Sequence, residues 1–117
     1  MSAPLTLVVG ARQAAERVAQ ALDAGGGDAR IWAPAGEDAE DGSSQPLADA
    51  LVGVEGAVEA DRPAELVLAD DSDAALAAAL VAAKLLIPVG AVAEATRGGS
   101  VNARLIAQLA PTYNPAR

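Results

Sequence analysis

Short apolar runs alternate with longer stretches of helical periodicity along this chain. The first run, Leu5–Val9, is uninterrupted and ends at Gly10, which is typical of a strand buried on both faces. Residues 12–22 then carry apolar side chains at helical spacing, and three consecutive glycines at 25–27 end the stretch. The chain therefore begins with a predicted strand followed by a predicted helix.

Three further strand–helix units follow the first. The predicted strands cover residues 30–33, 66–68 and 87–92, the predicted helices begin at Pro46, Ala74 and Val101, and an acidic segment at 37–44 is a predicted flexible loop. Strands that alternate with helices form a parallel sheet with right-handed crossovers and helices on both faces. We therefore expect one α/β domain over residues 1–117, a small Rossmann-like three-layer fold with about four parallel strands and an irregular tail at 111–117.

The composition excludes several classes of function. Sixteen acidic against 8 basic residues give a net charge of −8, which argues against binding to nucleic acid or to an anionic membrane. Without Cys or His, the chain has no disulfide, no metal site built from those residues, no thiol nucleophile and no imidazole base. We accordingly expect neither a metal nor a cofactor.

No segment looks like a signal peptide or a membrane-spanning helix, so we expect a cytoplasmic protein. The high content of Ala, Gly and Arg favours a bacterial source. Phe is absent, and Trp32 and Tyr113 are the only aromatic residues. A core of Ala, Val and Leu buries little area per side chain, so we expect modest stability or support from a partner.

Four stretches follow the order of motifs in one enzyme family. They read VVGARQAA at residues 8–15, LVLADDS at 66–72, AALAAALVAAKLLIPVG at 74–90 and NARLIAQLA at 102–110. Together they resemble the N-terminal half of the non-hydrolysing UDP-N-acetylglucosamine 2-epimerases over most of the chain. The Ile-Pro-Val strand after an Ala-rich helix is the most specific of these motifs.

The resemblance implies a binding site for a UDP-sugar at the carboxyl ends of the strands. It assigns ligand contacts to Arg12, Arg17, Asp71, Arg97 and Asn102. An Arg beside a helix N-terminus can hold a phosphate through two hydrogen bonds. The alternative for Arg12 is an exposed helix residue that pairs with a surface acid.

The resemblance keeps one of the family's catalytic carboxylates, at Asp71. The Glu that follows the fourth strand in the family aligns with Ala93, and Glu94 is one position away, on the opposite face of a strand. The Glu before the Asn-Arg pair aligns with Gly99 or Ser100, and the family's His has no counterpart. We also expect no second domain, so Asp71 is the one candidate for a catalytic group.

Two interpretations apply to the acidic turn of Asp70, Asp71 and Asp73. Clustered carboxylates can contact a sugar or a hard cation, or they can cap and favourably charge the N-terminus of the helix that follows. No second positioned carboxylate across the cleft is identifiable for acid–base work. The pattern favours capping.

The helix predicted at residues 74–86 is apolar on nearly all sides, which indicates burial on more than one side. One interpretation is a contact between copies of the chain, through Ala78, Ala82, Lys84 and Leu85. The other is that alanine is only weakly hydrophobic, so exposed alanines do not by themselves indicate a contact.

Two functions from different classes fit these observations. The first is a non-catalytic half-domain that acts as a binding, assembly or accessory subunit, as a homo-oligomer or with a protein partner. The alternative is a subunit of a split sugar-nucleotide enzyme, an epimerase or glycosyltransferase completed by another chain. We expect no activity from this chain alone and weak binding of a UDP-sugar; as part of an enzyme it would serve an isomerase of the epimerase type.

Overall fold

Nine elements make up the part of the chain, residues 4–34 and 44–111, that the computed structural model describes. The strands are β1 (Leu5–Val9), β2 (Asp28–Trp32), β3 (Glu65–Leu68) and β4 (Val89–Ala91). The helices are α1 (Arg12–Ala24), α2 (Gln45–Asp61), α3 (Asp73–Leu85), α4 (Ala93–Thr96) and α5 (Val101–Leu109). The predicted loop at 37–44, apart from its last residue, and the predicted tail beyond Pro111 lie outside the described residues.

The four strands form one parallel sheet in the order β2-β1-β3-β4. The predicted α/β class and its parallel sheet are therefore confirmed. β4 is shorter than the predicted strand because Ile87 still donates its amide to Ala82 in the turn that ends α3. Pro88, which has no amide proton, contributes only its carbonyl, to the amide of Leu66 at 2.9 Å.

The two faces of the sheet are covered unequally. On one face, Val8 of β1 and Val67 of β3 pack against α1 alone. On the other, Leu7 and Leu66 pack with α2, α3 and α5. Right-handed crossovers account for this division, since the chain moves to one side from β1 to β2 and to the other in both later crossovers.

Helix α3 is the most buried helix of the described chain. Eight of its thirteen residues are buried, six of them alanines, because α3 packs on the sheet and also contacts α2 and α5. Ala78 and Ala82 have no exposed surface. The expectation that these two residues contact another molecule is corrected, since they lie inside this chain's own core.

Among the described residues, no helix is long and apolar enough to cross a membrane.

Candidate functional site

The carboxyl ends of β1 and β3 form the point where the strand order reverses. From β1 the chain crosses to β2 on one side, whereas from β3 it crosses to β4 on the other. Open parallel sheets bind their ligands at such a point, between the two diverging turns. The residues at this position are Gly10 and Ala11 after β1 and the acidic turn that begins at Asp70 after β3.

Asp70 fills the space between these two turns. One of its carboxylate oxygens accepts a hydrogen bond from the amide of Ala11 at 3.1 Å, and the other accepts one from the amide of Ser72 at 3.1 Å. Gly10 makes this approach possible, because a Cβ at that position would lie 3.0 Å from an Asp70 oxygen and 3.1 Å from the Cβ of Ala69.

The bond to Ala11 places the carboxylate of Asp70 at the N-terminus of α1 rather than at that of the helix that follows the acidic turn. Ala11 is the N-cap of α1, and it has no side-chain oxygen to bind the free amides of the first turn. Asp70 supplies a negative charge at that helix N-terminus, where the helix dipole favours it. Asp70 therefore joins two turns of the fold.

The remaining polar residues of the acidic turn are bound to the start of α5. Ser100 donates its hydroxyl proton to Asp71 Oδ2 at 2.7 Å and accepts from the amide of Ala103 at 3.0 Å. Asn102 Nδ2 donates to the Asp71 carbonyl at 3.1 Å and to Asp73 Oδ1 at 2.9 Å. Asp71 and Asn102, both predicted ligand residues, are thus brought together by bonds within the protein.

Ser72 and Ser100 are the side chains that cap the two helices of this region. Ser72 is the N-cap of α3 and accepts from the amide of Ala75 at 3.2 Å. The capping predicted for this turn is confirmed: the hydroxyl of Ser72 caps the helix, and Asp73 lies in its first turn. The contact between Ser100 and Asp71 was not predicted, although a Ser before an apolar helical stretch is a recognised N-cap signal.

The predicted arginines lie around the edge of this region. Arg12 is the first residue of α1, next to the bonded Ala11, and its side chain is exposed. Arg97 is 72% exposed and lies 3.8 Å from Glu94. Gly98 places this loop near the acidic turn, because a Cβ at 98 would be 3.7 Å from Asp71 Oδ2. Arg17 is exposed further along α1, away from its N-terminus.

The side chains available for chemistry are few. Glu94 is in the first turn of α4 and exposed. Besides Asp71, the two positions where the family resemblance places a carboxylate are occupied by Ala93 and by Gly99 or Ser100. Within the described residues, no group of three or more acidic side chains is arranged to hold a metal ion. No buried side-chain nitrogen or oxygen there lacks a hydrogen-bond partner. The hydrogen bonds described above join the acidic turn to the N-termini of α1, α3 and α5.

Three solved structures show the same arrangement of elements. The Methanocaldococcus jannaschii UDP-GlcNAc 2-epimerase in complex with UDP-GlcNAc and UDP matches with a TM-score of 0.71 and 21% identity, over 91% of this chain and 38% of the other. The Neisseria meningitidis UDP-GlcNAc 2-epimerase bound to UDP-GlcNAc matches with a TM-score of 0.67 and 17% identity, over 94% of this chain and 39% of the other. The S. aureus MnaA–UDP structure matches with a TM-score of 0.70 and 16% identity, over 94% of this chain and 36% of the other.

These similarities concern the fold. No protein-family profile matches the sequence, and no curated protein matches it. The chain spans less than two fifths of the length of each of these three structures. It therefore has the fold of one part of the UDP-GlcNAc 2-epimerases, as its sequence motifs predicted.

Proposed function

We propose that this chain is a non-catalytic half-domain, related in fold to UDP-GlcNAc 2-epimerase, that acts as a binding, assembly or accessory subunit. One observation supports this most directly: Asp70 occupies the space between the turns after β1 and β3, with both of its oxygens hydrogen-bonded to backbone amides. A nucleotide phosphate directed to the N-terminus of α1 would compete with a carboxylate already bound there.

The second support is the lack of a paired acid and base. Exchange of a proton at a sugar carbon requires such groups on both faces of that carbon. Asp71 is bound to Ser100 at 2.7 Å, and Ala93 carries no titratable group. Asp71 alone would have to act as both the acid and the base.

The test of this proposal is proton exchange at C2 of UDP-GlcNAc in deuterated buffer, followed by NMR. We expect no exchange and no hydrolysis with the purified chain. Titration calorimetry on the same sample should show binding weaker than about 1 μM, since half of a two-domain clamp buries less of a ligand than a closed pocket. Turnover that disappears in Asp71→Asn would overturn the proposal.

A split enzyme is the alternative, and the partial coverage of the epimerase structures favours it. Structures with bound UDP-GlcNAc match this chain over less than two fifths of their own length. A second chain carrying the remaining part would have to supply the missing acid–base groups and the rest of the nucleotide contacts. A neighbouring gene for such a chain, and exchange activity only when the two are co-expressed, would support the split enzyme over the accessory role.

Self-association is part of the assembly role that we propose. The core is made mainly of Ala, Val and Leu, so the domain gains comparatively little from burial within itself. Several large apolar side chains nevertheless remain exposed, among them Val52, Leu86 and Val101. Light scattering at high micromolar concentration tests this part: a mass above that of one chain supports it, and a mass of one chain contradicts it.

A further inference from the structure

Strand β2 lies at one edge of the sheet. The strand order is β2-β1-β3-β4, so β2 has β1 as a neighbour on one side, and no described strand pairs with its other side. At the opposite edge, the amide of Ala91 in β4 donates to the carbonyl of Pro111 at 2.8 Å. An open edge presents backbone donors and acceptors that can pair with another strand. The outer edge of β2 is therefore a candidate contact surface.

The pairing with β1 fixes which backbone groups of β2 face outwards. The carbonyl of Trp32 accepts from the amide of Gly10, which follows β1, at 3.5 Å. In a strand, the amide and the carbonyl of one residue point to the same side, and this side alternates from residue to residue. Every second residue counted back from Trp32 therefore faces β1, whereas Ala29 and Ile31 face outwards. Among the described residues, neither of these two makes a backbone hydrogen bond outside the sheet.

Two opposite charges stand on the open strand. Asp28 and Arg30 are exposed and lie on one face of β2, since side chains alternate with a period of two. Ala29 and Ile31 lie on the other face, packed against the cluster that includes α1. Arg30 Nη1 donates to Asp61 Oδ1 at 3.2 Å, yet its side chain is 63% exposed. Because a guanidinium carries five N–H donors, Arg30 can bind a second carboxylate at the same time.

We propose that β2 pairs antiparallel with β2 of a second copy, around a two-fold axis perpendicular to the sheet, so that the two sheets become one. Antiparallel strands exchange hydrogen bonds between residues whose backbone groups face each other, so the outward-facing residues must lie opposite one another. With Ala29 opposite Ala29, Asp28 lies opposite the partner's Arg30, and the symmetry gives this pair twice. The next register in either direction places Arg30 on Arg30 or Asp28 on Asp28. Opposite charges attract across a strand pair and like charges repel, so the charges of β2 favour the first of these registers.

This contact rests on the assembly role proposed above and adds a second surface to it. The self-association given there acts through apolar side chains exposed on the helices, whereas the edge of β2 bonds through its backbone. β2 has five residues, far fewer than the roughly 20 to 30 on each side of a standard interface. The paired form is accordingly expected to be weak, and a covalent trap is the suitable measurement.

A single cysteine at position 29 tests the register, because the sequence contains no Cys of its own. Two residues of a hydrogen-bonded antiparallel pair have Cα atoms about 5.5 Å apart, a distance that a disulfide spans. Ala29→Cys should therefore form a disulfide-linked dimer under mild oxidation. Ile31→Cys is the matched control, since it also faces outwards and keeps both charges. In the proposed register its two cysteines are four residues apart along the strands, or roughly 14 Å, so it should cross-link at least about tenfold more slowly.

Charge reversal in the Ala29→Cys variant tests the pairing of Asp28 with Arg30. Asp28→Arg replaces two attractive pairs by two repulsive ones, so cross-linking should be about tenfold slower. Adding Arg30→Asp restores both pairs in reversed order and the original net charge, so the rate should return to within about threefold. Glu94→Arg makes the same charge change as Asp28→Arg on an exposed residue beyond β4, at the opposite edge of the sheet, and should leave the rate unchanged.

Thermal melts should show all of these variants folded. Equal cross-linking at positions 29 and 31, a double charge variant as slow as Asp28→Arg, or an equally slow Glu94→Arg would each overturn the proposal. A wild-type chain that associates in light scattering, while Ala29→Cys does not cross-link, would keep the assembly role and exclude this contact. The exchange assay on UDP-GlcNAc is independent of these results, so a failure here leaves the non-catalytic role standing.

Discussion

A close contact with the ring of Trp32 leaves no room for a side chain at Gly53. It lies within α2, where glycine costs about 1 kcal/mol relative to alanine, yet a Cβ at this position would overlap Cζ2 of Trp32 and lie 3.0 Å from Cε2. Trp32 ends β2 and packs against the core as a partly buried side chain. Gly53 therefore gives the indole ring, one of the two aromatic groups in the sequence, room to lie against the helix.

The same helix offers a matched comparison at Gly56, where nothing lies within 4 Å of a Cβ. We expect Gly53→Ala to lower the free energy of unfolding by about 1 to 2 kcal/mol, because the clash with a rigid ring exceeds the gain in helix propensity. Gly56→Ala should raise it by about 0.5 to 1 kcal/mol. Urea denaturation followed by Trp32 fluorescence measures both. Equal effects of the two substitutions would show that the ring does not restrict position 53.

Asp70 shows why the candidate site could be predicted only in part. The sequence indicates an acidic turn after a buried strand, and local patterns suffice for that. The hydrogen bond from Ala11 to Asp70 joins residues 59 positions apart, and the one from Ser100 to Asp71 spans 29 positions. No periodicity or spacing rule contains such pairings, since they depend on how the strands are ordered in the sheet.

Among the elements, the long periodic ones were predicted and the short one was not. Helix α4 has four residues, too few for a 3.6-residue period to be visible. The predicted burial of α3 on several sides is correct, but the apolar pattern alone could not distinguish neighbours within the chain from a second molecule. α2 and α5 are those neighbours. Only the C-terminal end of α3 is exposed, so any contact of this helix with another molecule would be made there.

Helix α3 provides a prediction of its own. Ala78 has no exposed surface, whereas Ala83 is exposed. Ala78→Glu should prevent folding or destabilise by several kcal/mol, since it places an unpaired charge in a packed core. Ala83→Glu should change the free energy of unfolding by less than about 0.5 kcal/mol. Circular dichroism with thermal melting compares the two, and a folded Ala78→Glu variant with wild-type stability would place α3 at the surface instead.

At the scale of the whole molecule, the strand ends and the outer surface of the helices differ in how their side chains are bonded or buried. The hydrogen bonds of the acidic turn are made within the chain, whereas Val52, Leu85 and Leu86 are left in water. In this fold, ligands ordinarily bind at the strand ends. Here the exposed apolar side chains lie on the helices instead, and the association that we propose would bury them.

Association through that surface makes stability depend on protein concentration. Where the folded state dimerises and the unfolded state does not, mass action stabilises the fold as concentration rises. Above the dissociation constant, a tenfold increase adds about 1.4 kcal/mol per dimer, or about 0.7 kcal/mol per chain. For a domain of this size, that corresponds to a rise in Tm of roughly 3 to 6 °C. Scanning calorimetry between about 10 μM and 1 mM measures it. A wild-type Tm that stays constant across this range would mean that the folded chain gains no stability from a second copy, and the exposed side chains of α2 and α3 would then need another explanation.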